Sequence, residues 1–232
     1  MNKAALIFAS CREELDRNQK KFITNAIRTG SFALSYIERV KPDCILAADR
    51  GMEFCYRNQI KPDVILGDYD SADKTILEAF RRQSGIEWHQ YQPEKDYTDS
   101  EIAIGKAMER NSSEIHILGG AGTRLDHVLG NIQLLMQPLA KDIPCFLIDS
   151  HNRIRLLKER AVLRKSQQFG KYVSLLPLTT EVTGVTLTGM KYPLQDAAFT
   201  SDNTLGVSNE IVEDEAVIDL KNGILIMIES RD

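Results

Sequence analysis

The sequence has little cysteine, and the positions of its four cysteines exclude two common structural devices. Cys11, Cys44, Cys55 and Cys145 form no C-x-x-C pair and no other spacing typical of metal ligands. We therefore expect neither a zinc site nor a disulfide framework. Cys44 and Cys145 lie in apolar runs, where cysteine behaves as a small hydrophobic residue, so we expect reduced thiols in a protein core.

Long hydrophobic runs and an excess of basic residues are also missing. No stretch approaches the roughly 18 apolar residues that a membrane helix needs, and the apolar run near the N-terminus is too short for a signal peptide. The formal net charge is -4, so the chain lacks the excess of Lys and Arg that is typical of a nucleic-acid-binding protein. We expect a cytoplasmic protein with no membrane partner and no nucleic acid partner.

What the chain does have is enough apolar material for a proper core. Its 232 residues are 43% hydrophobic and 27% charged, which is ordinary for a globular protein. Up to about residue 150, helix-like segments separate six short apolar runs, namely AALIFAS, CILAAD, VILGD, IEWHQY, IHILGG and CFLID. Strands that alternate with helices predict a parallel sheet covered by helices on both faces.

After about residue 160 the pattern changes to short segments rich in Val, Thr and Ile. No long helical pattern lies between them, and they read YVSLLPL, EVTGVTLTG, GVSNEIV, EAVIDL and GILIMIE. This pattern predicts an antiparallel sandwich or barrel. The expected fold class is α/β, with an N-terminal parallel, Rossmann-like domain over residues 1–155 and a C-terminal antiparallel β-sandwich over residues 156–232. The polar stretch 11–30 could be a helix or a mobile flap.

Polar and acidic residues follow four predicted strands of the first half, where open α/β sheets bind their ligands. In chain order they are Asp49, then Asp68, Asp70 and Ser71, then Lys95, Asp96, Thr98 and Asp99, and finally Arg124, Asp126 and His127. Any one loop could be a solvated turn, since Asp and Gly dominate turns. Their recurrence after strand upon strand favours a ligand site.

The loop after the fourth predicted strand carries a helix-start pattern. Thr98 and Glu101 have the spacing of a capping box, so we expect a helix to begin at Asp99. Asp99 could be functional there, or it could merely complement the helix dipole.

The loop after the fifth strand has the same spacing at Thr123 and Asp126. On the helix that follows, Arg124, His127 and Asn131 fall within roughly 60° of one another. We expect the neighbouring face to be apolar, with Leu125, Val128, Leu129, Ile132 and Leu135. A polar face of this kind behind the glycines of GGAG favours a phosphate or nucleotide site.

The acidic residues have the chemistry of a magnesium site. Carboxylate oxygens are ligands that Mg²⁺ prefers, and the ion usually takes one or two carboxylates together with substrate phosphates. Asp68 and Asp70 can both point toward one ion, and Asp96 and Asp99 can approach from the next loop. Such a cluster would repel itself without a divalent cation. The pattern predicts metal-assisted phosphoryl-type transfer that needs no protein nucleophile.

The motifs resemble those of thiamine pyrophosphokinase (thiamine diphosphokinase) of the bacterial type. They occur in the order PDVILGDYDSAD, EKDYTDSEIAI, LGGAGTRLDHVLGNIQLL, SLLPL, GVTLTGMKYPL and TLGVSNEI, over roughly residues 42–228. The resemblance implies Mg²⁺-dependent transfer of pyrophosphate from ATP to the hydroxyethyl oxygen of thiamine, giving AMP and thiamine diphosphate. It also implies the two-domain fold and a homodimer with active sites shared between subunits.

The same resemblance implies a role for each candidate residue. The catalytic residues would be Asp70, Asp96, Asp99 and Arg124, and the magnesium ligands would be Asp68, Asp70, Asp96 and Asp99. The ATP site would be lined by Asp49, Arg50, Ser71, Lys95, Thr98, Arg124, Asp126, His127 and Asn131. The segment that holds the thiamine pyrimidine would contribute Ser208 and Asn209.

Two features of these motifs leave alternatives open. The family usually has A-D-G-G where this chain has an arginine at position 50, and Arg50 could reach a phosphate or point outward. In the thiamine segment, Val207 and Ile211 have the alternation of inward-facing strand residues. Asn209 is then expected on their face and Ser208 on the opposite one, unless a bulge relaxes the pattern.

Two other classes of function compete with this interpretation. DYDSA superficially resembles the D-x-D motif of haloacid-dehalogenase-type magnesium phosphatases, but there the first aspartate follows the first strand, and here the pair follows the third predicted strand. A non-catalytic nucleotide or thiamine sensor on the same fold would bind its ligand and release no AMP.

Overall fold

We describe the protein from a computed structural model that covers residues 4–8, as backbone alone, and 31–70, 72–92, 94, 96–122 and 124–232. The expected helix or flap at 11–30 lies outside these residues, as do Ser71, Lys95 and Thr123. The chain divides into two compact units, Met1–Ser150 and His151–Asp232. The boundary expected after residue 155 falls inside the first strand of the second unit, Asn152–Leu157.

The first unit contains a parallel sheet with helices between its strands. The strands are β1 (Ala4–Phe8), β2 (Cys44–Ala48), β3 (Val64–Gly67), β4 (Glu87–Gln90), β5 (Glu114–Leu118) and β6 (Cys145–Ile148). The helices are α1 (31–40), α2 (Gly51–Arg57), α3 (Lys74–Arg81), α4 (Asp99–Glu109), α5 (Leu125–Leu134) and α6 (Met136–Leu139). The strand order is β6-β5-β1-β2-β3-β4, and the neighbouring strands pair in parallel. This confirms the parallel α/β architecture expected for the first half of the chain.

Burial along the strands explains their sequences. Every residue of β3 is buried, and so are Leu46, Ala47 and Ala48 of β2, because strands covered on both faces read as continuous apolar runs. β4 lies at the edge, and Glu87 and Gln90 at its two ends are exposed.

The helices follow equally local rules. The Asp73 carboxylate caps α3 by accepting a hydrogen bond from Thr75 N at 2.8 Å. The helix expected after the fifth predicted strand is divided into α5 and α6 around Leu135. Pro138 is the physical reason, because it has no N–H to donate to a carbonyl one turn earlier.

The second unit is built from antiparallel strands that form two sheets. They are β7 (Asn152–Leu157), β8 (Ala161–Arg164), β9 (Tyr172–Pro177), β10 (Glu181–Thr188), β11 (Leu194–Thr200), β12 (Asn209–Glu210), β13 (Glu215–Asp219) and β14 (Leu225–Ser230). Four of them pair in the order β12-β9-β14-β7, and the others in the order β11-β10-β13-β8. The sequence pattern did not predict β7, β8 or β11. Only two residues of the expected strand GVSNEIV are in β12.

The core of the second unit draws apolar side chains from both of its sheets. Fully or almost fully buried residues are Val173, Leu175, Val182, Val185, Leu187, Phe199, Ala216, Ile218, Leu225 and Met227. Two sheets that bury one face each against the other form a sandwich. The antiparallel architecture expected for this half is therefore confirmed.

The cysteines of the described residues are buried or half-buried free thiols. Cys44 lies in β2 and Cys145 in β6, and Cys55 lies on the buried side of α2. Burial raises the pKa of the Cys55 thiol to about 12, so this cysteine remains a neutral core residue. In the same residues, no helix has the length and apolarity that a membrane span requires.

A buried ion pair ties the sheet of the second unit to a neighbouring loop. The Glu229 carboxylate is 1% exposed and accepts hydrogen bonds from Arg153 Nε and Nη2, each at 2.7 Å. It also accepts one from the backbone N–H of Phe169 at 3.1 Å. β7 carries Arg153, and β14, which pairs with it, carries Glu229.

We predict that Arg153→Met lowers the free energy of unfolding by about 3–5 kcal/mol, because it leaves the buried Glu229 carboxylate without its cation. The matched control is Arg164→Met. Arg164 pairs with Glu215 across two strands at 3.2 Å, and both side chains are more than half exposed, so this change should cost about 1 kcal/mol or less. Urea unfolding measures both values, and equal losses would contradict the prediction.

Candidate active site

The strand order of the first unit determines where a ligand can bind. From β1 the chain proceeds through β2, β3 and β4 on one side, and β5 and β6 lie on the other side of β1. Ligands of open α/β sheets bind at such a reversal, outside the carboxyl ends of the strands. The residues that follow β5, of which 119–122 and 124 are described, flank the reversal, whereas the loop after β1 lies outside the described residues.

The turn after β3, residues 67–70, carries the first two candidate carboxylates, and we call it the carboxylate turn. Asp68 is half-buried and Asp70 is exposed. The backbone N–H of Asp70 donates to Asp68 Oδ1 at 3.0 Å, which closes the turn. Tyr69, between them, is 8% exposed and has a left-handed φ of 63°.

The side chain of Tyr69 anchors this turn. Its hydroxyl lies 3.1 Å from the carbonyl of Ile65 on β3 and 2.9 Å from the carbonyl of His89 on β4. Its ring packs edge-on against Trp88 at 5.8 Å. Burial is the main cause that raises the pKa of Tyr69, and the negative charge of Asp99 contributes to it. The Asp99 carboxylate at the start of α4 is therefore within electrostatic reach of the Tyr69 hydroxyl.

Asp49, at the end of β2, lies directly beside the carboxylate turn. It has a left-handed φ of 48°, and its N–H donates to the carbonyl of Leu66 at 2.8 Å. A Cβ atom on Gly67 would lie only 3.2 Å from the Asp49 Cα, and Gly67 has a φ of 151°. Glycine is thus required where the two strand ends approach each other.

Arg50 interacts with the first turn of α2. Its guanidinium donates to both carboxylate oxygens of Glu53, at 3.0 and 3.3 Å, and Arg57 donates to the same carboxylate at 3.1 Å. The hydrogen bond to Glu53 is the largest cause that raises the pKa of Arg50. The Arg50 side chain therefore runs along its own helix, paired with Glu53.

The loop after β4 confirms the expected helix start. α4 begins at Asp99, and Thr98 Oγ1 accepts a hydrogen bond from the backbone N–H of Glu101 at 3.2 Å. The Glu101 carboxylate accepts from Gln137 Nε2 at 2.8 Å, so it ties α4 to α6. Asp96 is exposed and Asp99 is half-buried.

The loop after β5 presents a paired arginine. Arg124 directly precedes α5 and donates through Nε to Asp126 Oδ1 at 3.1 Å and through Nη2 to Asp126 Oδ2. This hydrogen bonding is the main cause that lowers the pKa of Asp126 to about 2. Arg124, Asp126 and His127 are all exposed.

The faces of α5 agree only in part with the expected ones. Asn131 is 8% exposed, and its Nδ2 donates to the carbonyl of Gly120 at 2.8 Å. Ile132 and Leu135 of the expected apolar face are buried. Leu125 and Leu129 of the same face are 74% and 61% exposed. The physical reason is that the Asn131 amide donates to a buried backbone carbonyl of the glycine loop, so the Asn131 side of the helix faces inward.

The candidate carboxylates fit a magnesium ion only in part. Within the described part of the chain, no three or more His, Cys, Asp or Glu side chains form a group that could hold a metal. The expected four-carboxylate cluster is therefore not assembled there. Asp68 and Asp70 remain as two carboxylates on one turn, and this donor set fits Mg²⁺, which commonly takes one or two carboxylates and completes its coordination with substrate phosphates and water.

The candidate thiamine residues lie in the second unit. Asn209 is 5% exposed, and its side chain donates to the carbonyl of Tyr192 at 2.8 Å and accepts from the Tyr192 N–H at 3.0 Å. Ile211 is buried as expected, but Val207 is 44% exposed because the chain turns at Ser208, where φ is 59°. Ser208 is exposed, and the Asn209 amide holds the backbone at Tyr192.

Several residues that shape the site were not expected from the sequence. Tyr69, Glu53 and Gln137 were not singled out, although each makes a side-chain contact to a candidate residue or its strand. The helical i, i+3 spacing of Arg50 and Glu53 could have indicated their ion pair. The contact of Gln137 with Glu101 spans 36 residues, and no local pattern indicates it.

We predict that Arg124→Gln moves the pKa of Asp126 from about 2 back toward its ordinary value of 3.8. The reason is that the charged hydrogen-bond donor is lost. A carbon-13 NMR titration of the aspartate carboxyls measures this shift. Arg82→Gln, at the exposed end of α3, is the control and should leave Asp126 unchanged. An unaltered Asp126 pKa in Arg124→Gln would show that the pair does not form in solution.

Comparisons with known proteins agree with the two units. Residues 39–147 match the family model of the thiamin pyrophosphokinase catalytic domain, and residues 160–225 match that of the thiamin pyrophosphokinase vitamin B1 binding domain. The chain is 36% identical over 190 residues to thiamine pyrophosphokinase of Bacillus subtilis (strain 168). The matched region covers 81% of this chain and 87% of that protein.

Solved structures give the same result. A crystal structure of the Bacillus subtilis thiamine pyrophosphokinase superposes with a TM-score of 0.80 at 30% identity and covers 99% of this chain and 100% of that one. The thiamin pyrophosphokinase of Geobacillus thermodenitrificans gives 0.78 at 26% identity and covers 99% and 97%. These comparisons do not support the phosphatase or sensor alternatives. The chain belongs to the thiamine pyrophosphokinase family.

Proposed function

We propose that the chain catalyses transfer of pyrophosphate from ATP to the hydroxyethyl oxygen of thiamine, with release of AMP and thiamine diphosphate. The observation that carries this proposal is the match of residues 39–147 to the family's catalytic domain. Within that range, the carboxylate turn and Arg124 follow parallel strands of one sheet, so both lie at its carboxyl edge.

In the proposed reaction, the thiamine oxygen forms a bond to the β-phosphorus of ATP, and the bond from that phosphorus to the α–β bridging oxygen breaks. AMP leaves with the bridging oxygen, and the hydroxyl proton passes to solvent. No protein nucleophile is needed, because such transfers depend on positioning and on charge stabilisation. Bound Mg²⁺ would neutralise phosphate charge, and Asp68 and Asp70 would hold it.

The remaining candidate residues of the first unit act on the nucleotide in this proposal. β3 lies three strand spacings from β5, or roughly 14 Å, so a nucleotide that reaches both the carboxylate turn and Arg124 crosses the reversal in strand order. Arg124 grips phosphate oxygens, and Asp96 and Asp99 contribute negative charge near the metal. We assign the rest of the ATP site to Asp49, Arg50, Ser71, Lys95, Thr98, Asp126, His127 and Asn131.

We assign thiamine recognition to the second unit, which matches the family's vitamin B1 binding domain. Ser208 is exposed and can donate and accept hydrogen bonds with an aminopyrimidine. The Asn209 amide bonds the backbone of Tyr192, so we propose that it supports the pyrimidine site by holding that loop in place.

We extend the proposal to a cytoplasmic homodimer with active sites shared between subunits. Exposed apolar side chains in both units support an interface, since association would remove their apolar surface from water. On α5 of the first unit they are Leu125 and Leu129, and in the second unit they are Tyr192, Leu205 and Val212.

One assay tests the proposed reaction directly. The purified protein is incubated with ATP, Mg²⁺ and thiamine, and the nucleotide and thiamine products are separated. AMP together with thiamine diphosphate is the expected result. ADP with thiamine monophosphate would indicate transfer of a single phosphoryl group. Absence of any phosphorylated thiamine would indicate a protein that binds its ligand without catalysis.

We predict that Asp70→Asn lowers turnover at limiting Mg²⁺ by at least about tenfold, because it removes a carboxylate charge from the proposed metal site. Its stability should change little, since Asp70 is exposed. The matched control is Asp73→Asn, in which the new amide can still cap α3. Near-normal turnover of Asp70→Asn at limiting Mg²⁺ would show that Asp70 is not a metal ligand.

We predict that Arg124→Lys weakens transition-state binding by about 1–3 kcal/mol, since an ammonium cannot reproduce the two-pronged grip of a guanidinium on phosphate oxygens. The ratio of kcat/KM for ATP between wild type and Arg124→Lys measures this loss. Arg82→Lys, with a side chain that is 82% exposed on the end of α3, serves as the control and should match wild type. Unchanged kcat and KM in Arg124→Lys would place Arg124 outside the phosphate site.

A further inference from the structure

Tyr69 lies between the two aspartates of the carboxylate turn, and its side chain is buried while Asp70 is exposed. We propose that Tyr69 is a positioning residue that ties this turn to β3 and β4 and so aims Asp68 and Asp70 at the magnesium–nucleotide. The proposal rests on the proposed function, because that function gives the two aspartates their ligand. Tyr69 itself contacts neither substrate nor metal in this role.

The backbone of the turn shows why an anchor is needed. Tyr69 has a φ of 63°, a left-handed conformation that is unfavourable for a bulky residue. Asp49, whose N–H contacts the end of β3, has a φ of 48°. Residues persist in such conformations only where surrounding contacts hold them. The turn would relax toward other geometries if those contacts were removed, and the carboxylates would move with it.

The contacts of Tyr69 supply this restraint. Its hydroxyl is within hydrogen-bond distance of two carbonyls, those of Ile65 at 3.1 Å and His89 at 2.9 Å. These carbonyls belong to adjacent strands, so one proton donor bridges β3 and the edge strand β4. The ring adds an edge-on contact with Trp88 on β4. One side chain therefore joins the turn to both strands beneath it.

The same anchor determines the direction of the two carboxylates. Because Tyr69 extends inward, Asp70, the next residue, is left at the surface. The hydrogen bond from Asp70 N to Asp68 Oδ1 spans Tyr69 and brings the two residues together on the turn. The position of Tyr69 thus fixes the backbone from which both carboxylates project, although its own atoms remain buried.

Tyr69→Phe tests the proposal, because it removes the hydroxyl and keeps the ring. Tyr36→Phe is a matched control in the same unit. Tyr36 is 4% exposed, and its hydroxyl is hydrogen-bonded to His116 Nδ1 at 2.9 Å. Both variants lose one buried hydroxyl and should lose similar amounts of stability. Only the first loses a tie to the carboxylate turn.

The first readout is binding rather than turnover. The probe is Mn²⁺ with α,β-methylene-ATP, in which the bridge that the reaction breaks cannot be cleaved, and water-proton relaxation reports the bound metal. We expect the dissociation constant to rise about three- to tenfold in Tyr69→Phe, the effect of one lost hydrogen bond. We expect no change in Tyr36→Phe. Hydrogen exchange at the Asp70 amide should accelerate in Tyr69→Phe alone.

The second readout is kinetic. The Mg²⁺ concentration for half-maximal turnover should rise in Tyr69→Phe, while the KM for thiamine remains that of wild type. Unchanged metal binding and unchanged Asp70 exchange would overturn the proposal, and so would equal changes in both variants. Failure of the wild-type protein to release AMP would refute the proposed function instead, and the binding and exchange measurements would still decide the role of Tyr69.

Discussion

Parallel pairing of the strands in the first unit is the constraint from which the candidate site follows. Because β2, β3, β4 and β5 run in the same direction, the segments that follow them emerge at one edge of the sheet. Those segments carry Asp49, the carboxylate turn, Asp99 and Arg124, which lie far apart in the sequence. Each strand only has to be apolar enough to be buried between helices, and the chemistry is left to the residues after it.

The close approach of β2 and β3 adds backbone strain at that edge. Asp49 and Tyr69 both have left-handed conformations, and Gly67 has no side chain where the two strand ends meet. Left-handed conformations outside glycine cost free energy and are retained where other contacts compensate. Here the compensation is visible in the hydrogen bond from Asp49 N to the Leu66 carbonyl and in the buried hydroxyl of Tyr69. Buried groups thus hold the backbone from which the carboxylates project.

Features of the fold and site that depend on local rules could be predicted from the sequence. Features that depend on contacts between distant residues could not. Thr98 caps α4 as expected because a capping contact involves residues only three apart. The strands β2 and β3 were evident because buried strands read as apolar runs. Strand β11, LQDAAFT, was missed because it is largely exposed and lacks a clear alternation. The burial of Asn131 on α5 was missed because Asn131 bonds Gly120, eleven residues earlier, and helical periodicity cannot show such a partner.

The pairing of Arg124 with Asp126 bears on how the proposed nucleotide site would fill. The Arg124 guanidinium already bonds the Asp126 carboxylate through two nitrogens, and this holds its plane in one orientation. Phosphate oxygens present the same geometry and more negative charge, so in the proposed reaction they can replace the carboxylate without reorganising the arginine. Asp126 is exposed, and water solvates its carboxylate once it is displaced. A buried carboxylate in its place would resist that exchange, because it would be left with an unpaired charge.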